Sequence, residues 1–318
     1  MLSLSDVSLK PDGEHRFAHS FAPGEISVVL GANQSGKTDL CRLIAGLNTR
    51  AQGSVRLDGA PLGSLNPRER PVSMVYQAFV NYPNLTVFEN IASPLKAQKA
   101  NGDTISRKVA SLAEKLHIQA LLRRYPSELS GGQQQRLAIA RALAKEARVL
   151  LLDEPLVNLD FKLREALEVE LRELLHASDT IVIYTSSDPR DAFTLGDSLL
   201  LLDKGQKIQS GPPLEVYQNP SSFEAMALLA DPDINRFHRH GKPCALRPEH
   251  LYLASEHPST TALSFDMQVS AYETSGSESY VHGQVEGNDW VLRHSGMLSP
   301  KIGQSLKVSA AERDVVQF

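Results

Sequence analysis

Cysteine is nearly missing from this chain: Cys41 and Cys244 are the only two in 318 residues. They lie far apart, and Cys41 sits in an apolar pattern of helical spacing, so neither a disulfide framework nor a thiolate metal site is expected, and a reducing cytoplasm fits best. An excess of basic charge is also lacking. The formal net charge of -4 provides no positive field of the kind that gathers nucleic-acid phosphates, so no nucleic-acid partner is expected. Long apolar runs are missing too: residues 149–152 and 199–202 fall far short of the roughly 20 that cross a bilayer as a helix. Residues 1–10 are polar and alternating, without the basic flank and apolar stretch of a secretory signal. The chain is expected to stay inside and to meet any membrane peripherally.

What is present reads as globular: 42% hydrophobic and 22% charged residues, enough for a real core and for more than one domain. Continuous apolar runs at 26–30, 72–76, 149–152 and 181–184 alternate with helical patterns, which predicts an α/β domain whose strands are buried on both faces. Between the last two runs, a helix is expected from about Asp160 to Leu175, with Leu163, Leu167, Leu171 and Leu174 on one stripe. Residues 97–104 read as an exposed loop. Beyond about Phe237 the texture changes to short alternating segments, such as 279–285 and 289–292, separated by the turn signal Glu286-Gly287-Asn288. This predicts a small antiparallel β domain over 236–318, after a first domain over 1–235.

Gly31-Ala32-Asn33-Gln34-Ser35-Gly36-Lys37-Thr38 matches the pattern G-x-x-x-x-G-K-[ST], a loop whose backbone N–H groups wrap phosphates. The context is right. An apolar strand leads in, and Leu40, Leu43, Ile44 and Leu47 at helical spacing lead out, so a helix would aim its positive end at the ligand. Lys37 would reach the terminal phosphates and the Thr38 hydroxyl would ligate Mg²⁺. The run 149–152 ends in Asp153 and Glu154. Asp153 is expected to hold Mg²⁺, directly or through water, and Glu154 to polarise an attacking water as general base.

Leu129-Ser130-Gly131-Gly132-Gln133, followed by Gln134-Gln135-Arg136, resembles the signature motif of ATP-binding cassette proteins. Its physics is legible, because Ser130 and the glycine backbone form an anion nest at the start of a helix. The resemblance implies a P-loop ATPase domain with a helical subdomain. It also implies that two such domains face head to tail, each ATP lying between the phosphate loop of one subunit and Ser130, Gly131, Gly132 and Gln133 of the other. Gln77 corresponds to the family's Q-loop glutamine, which contacts Mg²⁺ and water and relays closure to the membrane subunits, so residues 81–95 are expected to face them. Asp160 corresponds to the D-loop aspartate that crosses the dimer interface.

The segments Glu215-Val216-Tyr217-Gln218-Asn219-Pro220 and Leu246-Arg247-Pro248-Glu249 resemble the tail of carbohydrate-importer ATPases, in which a small oligomer-binding-type β domain follows the cassette. Residues 75–84 and 89–95 are most similar to the ATPase subunits of bacterial glycerol importers. Such a subunit sits on the cytoplasmic face of the inner membrane, beneath two permease subunits served by an extracytoplasmic solute-binding protein.

The chain departs from the family pattern in two places. The register of Asp191-Ala192-Phe193-Thr194-Leu195-Gly196-Asp197 puts Ser187 where the family has a histidine, and a serine hydroxyl is shorter than imidazole and carries no positive charge. Residues 1–16 contain no Phe, Tyr or Trp to stack on adenine, and Phe17 is the nearest candidate. Both departures fall on the phosphate-loop side while the signature is intact. A heterodimer with a second, histidine-bearing ATPase subunit is therefore favoured, with this chain's own site binding ATP but turning it over slowly.

Other constellations carry less. His238 and His240 stand among basic residues, without the carboxylate or thiolate company of a metal site. Tyr280, Trp290 and Val291 fit one side of a small β core better than a ligand face. The rival functions are a cassette protein acting on ribosomes or DNA, which usually needs a second cassette or long coiled-coil insertions, and a regulatory module whose tail binds a transcription factor or senses solute.

Overall fold

A computed structural model describes residues 1–10, 13–48, 51–157, 161–176, 179–256 and 262–318. Two compact units divide the chain, Met1–Val216 and Tyr217–Phe318. The change of texture near Phe237 falls inside the second.

The first unit begins with β1 (Leu2–Ser8), β2 (Phe17–Phe21), β3 (Ile26–Leu30) and α1 (Lys37–Ala45). Strands β4 (Gln52–Leu57), β5 (Ala60–Pro61) and β6 (Val72–Val75) then precede helices α2 (Val87–Ala97), α3 (Gly102–Lys115) and α4 (Gly131–Ala144). It continues through β7 (Val149–Asp153), α5 (Phe161–His176), β8 (Ile181–Ser186), α6 (Pro189–Thr194), β9 (Ser198–Asp203) and β10 (Gln206–Gly211), and α7 (Pro213–Gln218) follows.

The main sheet runs β10-β9-β3-β8-β7-β6, with β3, β6, β7, β8 and β9 parallel. Every residue of β3, β7 and β8 is buried, as continuous apolar runs in a two-sided sheet require. An antiparallel sheet, β2-β1-β4-β5, shares a core with α1 through Leu2, Phe21, Leu40, Ile44 and Val55. The register pairs Leu30 with Ser186 and Asp153 with Thr185, so the carboxyl ends of β3, β7 and β8 lie side by side. Open parallel sheets bind ligands at that edge.

Four local expectations are corrected. Leu47 is outside α1 and 47% exposed: Gly46, at φ 80°, ends the helix, and the buried Arg70 guanidinium donates to the carbonyls of Leu43 and Ile44 there. The exposed segment at 97–104 shrinks to residues 98–101, because the Asn101 side chain caps α3 by accepting from Thr104 N. Among the described side chains of α5 the buried stripe is Leu167, Leu171 and Leu175, while Leu174 is only half-buried; a strict four-residue step carries the face to 175, and the Leu163 side chain lies outside those described. Strand β8 continues past Tyr184 to Ser186, since Thr185 and Ser186 are buried with hydrogen-bonded hydroxyls.

The second unit holds α8 (Phe223–Leu228), β11 (Asn235–Arg239), β12 (Lys242–Leu246), β13 (Tyr252–Leu253), β14 (Ala262–Thr274), β15 (Glu278–Val285), β16 (Asn288–Ser295), β17 (Ser305–Ala311) and β18 (Val316–Gln317). They form antiparallel sheets in the orders β11-β12-β18 and β13-β17-β14-β15-β16. Glu286 and Gly287, both at positive φ, make the two-residue hairpin that the turn signal predicts. Trp290 is a core ring, 1% exposed, against Phe237 and Phe265 at centroid distances of 5.6 and 4.7 Å. Its indole N–H donates to Arg236 O. No described helix is long and apolar enough to cross a membrane.

Candidate functional site

The loop between β3 and α1 folds around close backbone contacts. A Cβ on Gly31 would stand 2.3 Å from Leu202 O and 2.4 Å from Ser35 Oγ, so only glycine lets the loop turn this tightly over β9. Gly36, the N-cap of α1, sits at φ 105° and gives the helix no side-chain cap. The first-turn N–H groups are therefore left for an external acceptor.

Lys37 is 4% exposed and folds back over the loop, its ammonium donating to Gly31 O at 2.6 Å and Ala32 O at 2.9 Å. Its third neighbour is Glu154, with Oε1 at 3.2 Å. The other Glu154 oxygen accepts from Gln77 Nε2 at 3.0 Å. A cavity of about 320 Å³ is lined by residues 33–39 together with Gln77 and Glu154. Loop, strand-end acid and Gln77 thus share one pocket, although Gln77 and Glu154 are 77 residues apart.

Asp153 lies just below. Its Oδ1 accepts from Thr38 Oγ1 at 3.1 Å and from Thr185 Oγ1 at 2.9 Å. Burial raises the Asp153 pKa, those two hydrogen bonds oppose the rise, and the neighbouring Glu154 charge adds to it. The Thr38 hydroxyl and the Asp153 and Gln77 oxygens are the hard donors that small divalent cations take.

Thr185 is a residue that motif reading misses. Its hydroxyl donates to Asp153 and accepts from Glu154 N at 2.9 Å, so one side chain fixes both acids. Glu154 itself is held at φ 45°, a backbone state that needs such support. In the sequence Thr185 is one polar residue in a buried run, and no pattern marks it.

Ser187 immediately follows β8 and is exposed. It lines a separate small cavity of about 20 Å³ that Glu154 also lines. Asp160 lies outside the described residues. Phe17 is not available for stacking on a base: it is 9% exposed and packs in the sheet core opposite Val7. Alternation along β2 turns it inward.

The signature residues stand apart from this pocket. Ser130 caps α4 in a reciprocal box, Gln133 N donating to Ser130 Oγ at 3.4 Å and Ser130 N to Gln133 Oε1 at 3.1 Å. Ser130 and Gly131 are exposed, Gln133 is half-exposed and Gly132 is buried. Because the Ser130 oxygen accepts from an N–H, its own O–H remains a donor. The segment after Gln77 is anchored on the same helix: Asn81 Nδ2 donates to Gln134 O at 2.9 Å, and the Arg141 guanidinium lies 4.7 Å from the Tyr82 ring centroid.

Comparison with known proteins agrees with this anatomy. The ABC transporter family model matches residues 15–157, and the TOBE domain model matches residues 244–318. Curated relatives include the sn-glycerol-3-phosphate import ATP-binding protein UgpC 3 of Agrobacterium fabrum, 34% identical over 93% of this chain and 90% of its own length. UgpC of Rhizobium meliloti is 35% identical over 92% of this chain and 88% of its own. Among solved structures, the dimeric form of a bacterial ABC transporter cassette aligns at 26% identity and a TM-score of 0.59, covering 67% of this chain and 99% of that one. A dimeric post-hydrolysis cassette bound to ADP and Pi aligns at 27% identity and a TM-score of 0.59, with the same coverage. From loop, acidic strand end, signature helix and carboxyl-terminal β domain together, the conclusion is that this chain belongs to the ABC transporter family, as an ATPase of the TOBE-bearing group that includes the sn-glycerol-3-phosphate import proteins.

Proposed function

We propose that the chain powers an importer for a small carbohydrate or polyol, with glycerol or its 3-phosphate favoured, by binding and hydrolysing ATP beneath two membrane permease subunits. The observation that carries the reading is the shared pocket: residues 33–39, Gln77 and Glu154 line one cavity, with Lys37 buried at its floor. The choice of solute is supported by the names of the UgpC relatives and by the likeness of residues 75–84 and 89–95 to glycerol-importer ATPases.

The chemistry follows from the contacts. The Lys37 ammonium, held by Gly31 O and Ala32 O, meets the terminal phosphates, and the uncapped start of α1 offers N–H groups to the rest of the chain of phosphates. Thr38, Asp153 and Gln77 would hold Mg²⁺, whose role when bound is to neutralise phosphate charge. Glu154, displaced from Lys37 by the incoming phosphate, is left to accept the proton of the attacking water, with Gln77 fixing its second oxygen. Closure needs a second subunit, because Ser130 to Gln133 lie outside the pocket of their own chain. We favour a different ATPase as that subunit, since Ser187 stands in the histidine's place; Asp160 would then cross the interface. The carboxyl-terminal unit is assigned to stabilising or regulating the assembly, and an extracytoplasmic binding protein delivers the solute.

The test is uptake by the assembled complex in liposomes. Radiolabelled sn-glycerol 3-phosphate, glycerol and a disaccharide are offered in parallel with ATP inside. Accumulation of one of the first two, abolished by Lys37→Ala, is expected. ATP-independent uptake, or transport of the disaccharide alone, would sink the corresponding part of the reading.

A further inference from the structure

Arg164 on α5 is largely buried, with 17% side-chain exposure, and pairs at once with Glu168 at 2.8 Å, Asp188 at 2.9 Å and Asp191 at 2.6 Å. Asp191 is almost dry, at 3% exposure. Its other oxygen accepts from Ser186 Oγ at 2.6 Å, and that same hydroxyl oxygen accepts from Asp188 N at 2.9 Å. Burial pushes the guanidinium pKa down, but the hydrogen bonds and charges of Asp191, Glu168 and Asp188 together outweigh it and raise the pKa overall. Burial pushes the Tyr184 phenol pKa well up, and the Asp191 charge adds to the rise.

These bonds converge on one stretch of backbone. Ser186 ends β8 and Ser187 follows it, so Ser186, held by Asp191, and Asp188, held by Arg164, flank the residue at the family's histidine position. A cavity of about 20 Å³ is lined by Glu154, Arg164, Ser186, Ser187, Asp188 and Asp191. That is room for about one water. A buried ion cluster contributes little net stability compared with apolar packing. What it does supply is a fixed geometry.

We propose that Arg164 is a positioning residue for hydrolysis, acting through Asp188 and Asp191 to hold Ser186 and Ser187 at the rim of the one-water cavity that Glu154 shares. With only a short serine hydroxyl beside the general base, the placement of this loop matters more than it would with a long imidazole. The inference rests on the ATPase reading above.

The test reads phosphate release by the purified full-length chain, which reports this chain's own site, for Arg164→Met, Arg164→Lys, Asp191→Asn, and Arg164→Met with Asp191→Asn. Loss of the anchor is expected to lower kcat by about tenfold to a hundredfold, the scale set by sub-ångström to 1 Å misplacement. ATP affinity measured by calorimetry stays within about twofold, because no cradle residue is touched. Arg164→Lys recovers only part of the rate, since a point-charge ammonium does not span several carboxylates. The double variant is no slower than the slower single variant, because both act through one link. Unchanged kcat with a lowered melting temperature overturns the proposal, as does a loss confined to ATP affinity. If Arg164→Met does not fold, the isosteric Asp191→Asn carries the test. Lys37→Ala in the same preparation separates the two readings: hydrolysis that survives it sinks the ATPase assignment and the role of Arg164 with it, whereas hydrolysis that is lost in Lys37→Ala but unchanged in the Arg164 and Asp191 variants overturns the role of Arg164 alone.

Discussion

The Lys37 ammonium and the Glu154 carboxylate stand 3.2 Å apart with side-chain exposures of 4% and 12%, so each is the other's counter-ion until a triphosphate enters. Glu154 therefore competes with the phosphates for Lys37. Glu154→Gln removes the competing charge and the general base together. Tighter Mg-ATP binding by calorimetry is expected, with turnover reduced by about 10²–10⁴-fold. Weaker binding with normal turnover would contradict both roles.

Lys37→Ala is expected to act in the opposite direction on binding. It leaves Glu154 a largely buried carboxylate facing the phosphates without a cation, a costly arrangement. Calorimetry should detect no Mg-ATP binding, while the circular-dichroism spectrum stays unchanged because α1 and its packing are intact.

Thr185→Val keeps the shape of the side chain but strips Asp153 of a donor and Glu154 N of an acceptor. Leaving buried groups unpaired costs about 1–3 kcal/mol, and the two acids lose their common anchor. A lower denaturation midpoint together with a lower kcat is expected, and Thr185→Ser should restore both. A stability loss alone would mean that Thr185 serves only the fold.

Ser187 is exposed at the end of β8, where a longer side chain meets no packed core. Ser187→His is expected to raise ATP turnover by the purified chain, because an imidazole reaches farther than a serine hydroxyl and can carry a positive charge. The measurement is steady-state phosphate release from the purified chain alone and from the assembled transporter. Rapid turnover by the unmodified chain alone, unaffected by Ser187→Ala, would remove the case for a heterodimer.

His19 makes stability sensitive to acid. Burial, helped by the Lys207 charge, pushes its pKa from 6.5 down to about 4. The unfolded chain takes up this proton below about pH 6.5, whereas the folded chain resists until about pH 4, so stability falls as pH drops through that window. The limit is about 3 kcal/mol before solvent screening is discounted. Urea melts at pH 7 and pH 4.5 should differ less for His19→Gln than for the parent; an equal difference in both would refute the assignment.

Several elements were legible because a single chemical requirement wrote them into adjacent residues. The phosphate loop needs Gly31 and Gly36 at fixed spacing from Lys37, and the signature helix needs Ser130 as its cap with Gln133 three positions on. The apolar runs of β3, β7 and β8 announce strands covered on both faces. Side-chain facing was read less well, as Phe17, Leu47 and Leu174 illustrate. Composition says that such residues want burial, but a glycine stop or a one-residue step along a helix decides which of them gets it.

By itself, then, the sequence determined the phosphate loop, the paired acids Asp153 and Glu154, the signature at the start of a helix and the buried runs of β3, β7 and β8, since each is a short-range pattern with one backbone solution. Only the tertiary structure decided that Gln77 reaches Glu154, that Thr185 fastens both acids, and that Arg164 gathers Glu168, Asp188 and Asp191. Those contacts join residues far apart in the chain. A lone threonine, glutamine or arginine carries no mark of its partner until parallel strands bring their ends to one edge.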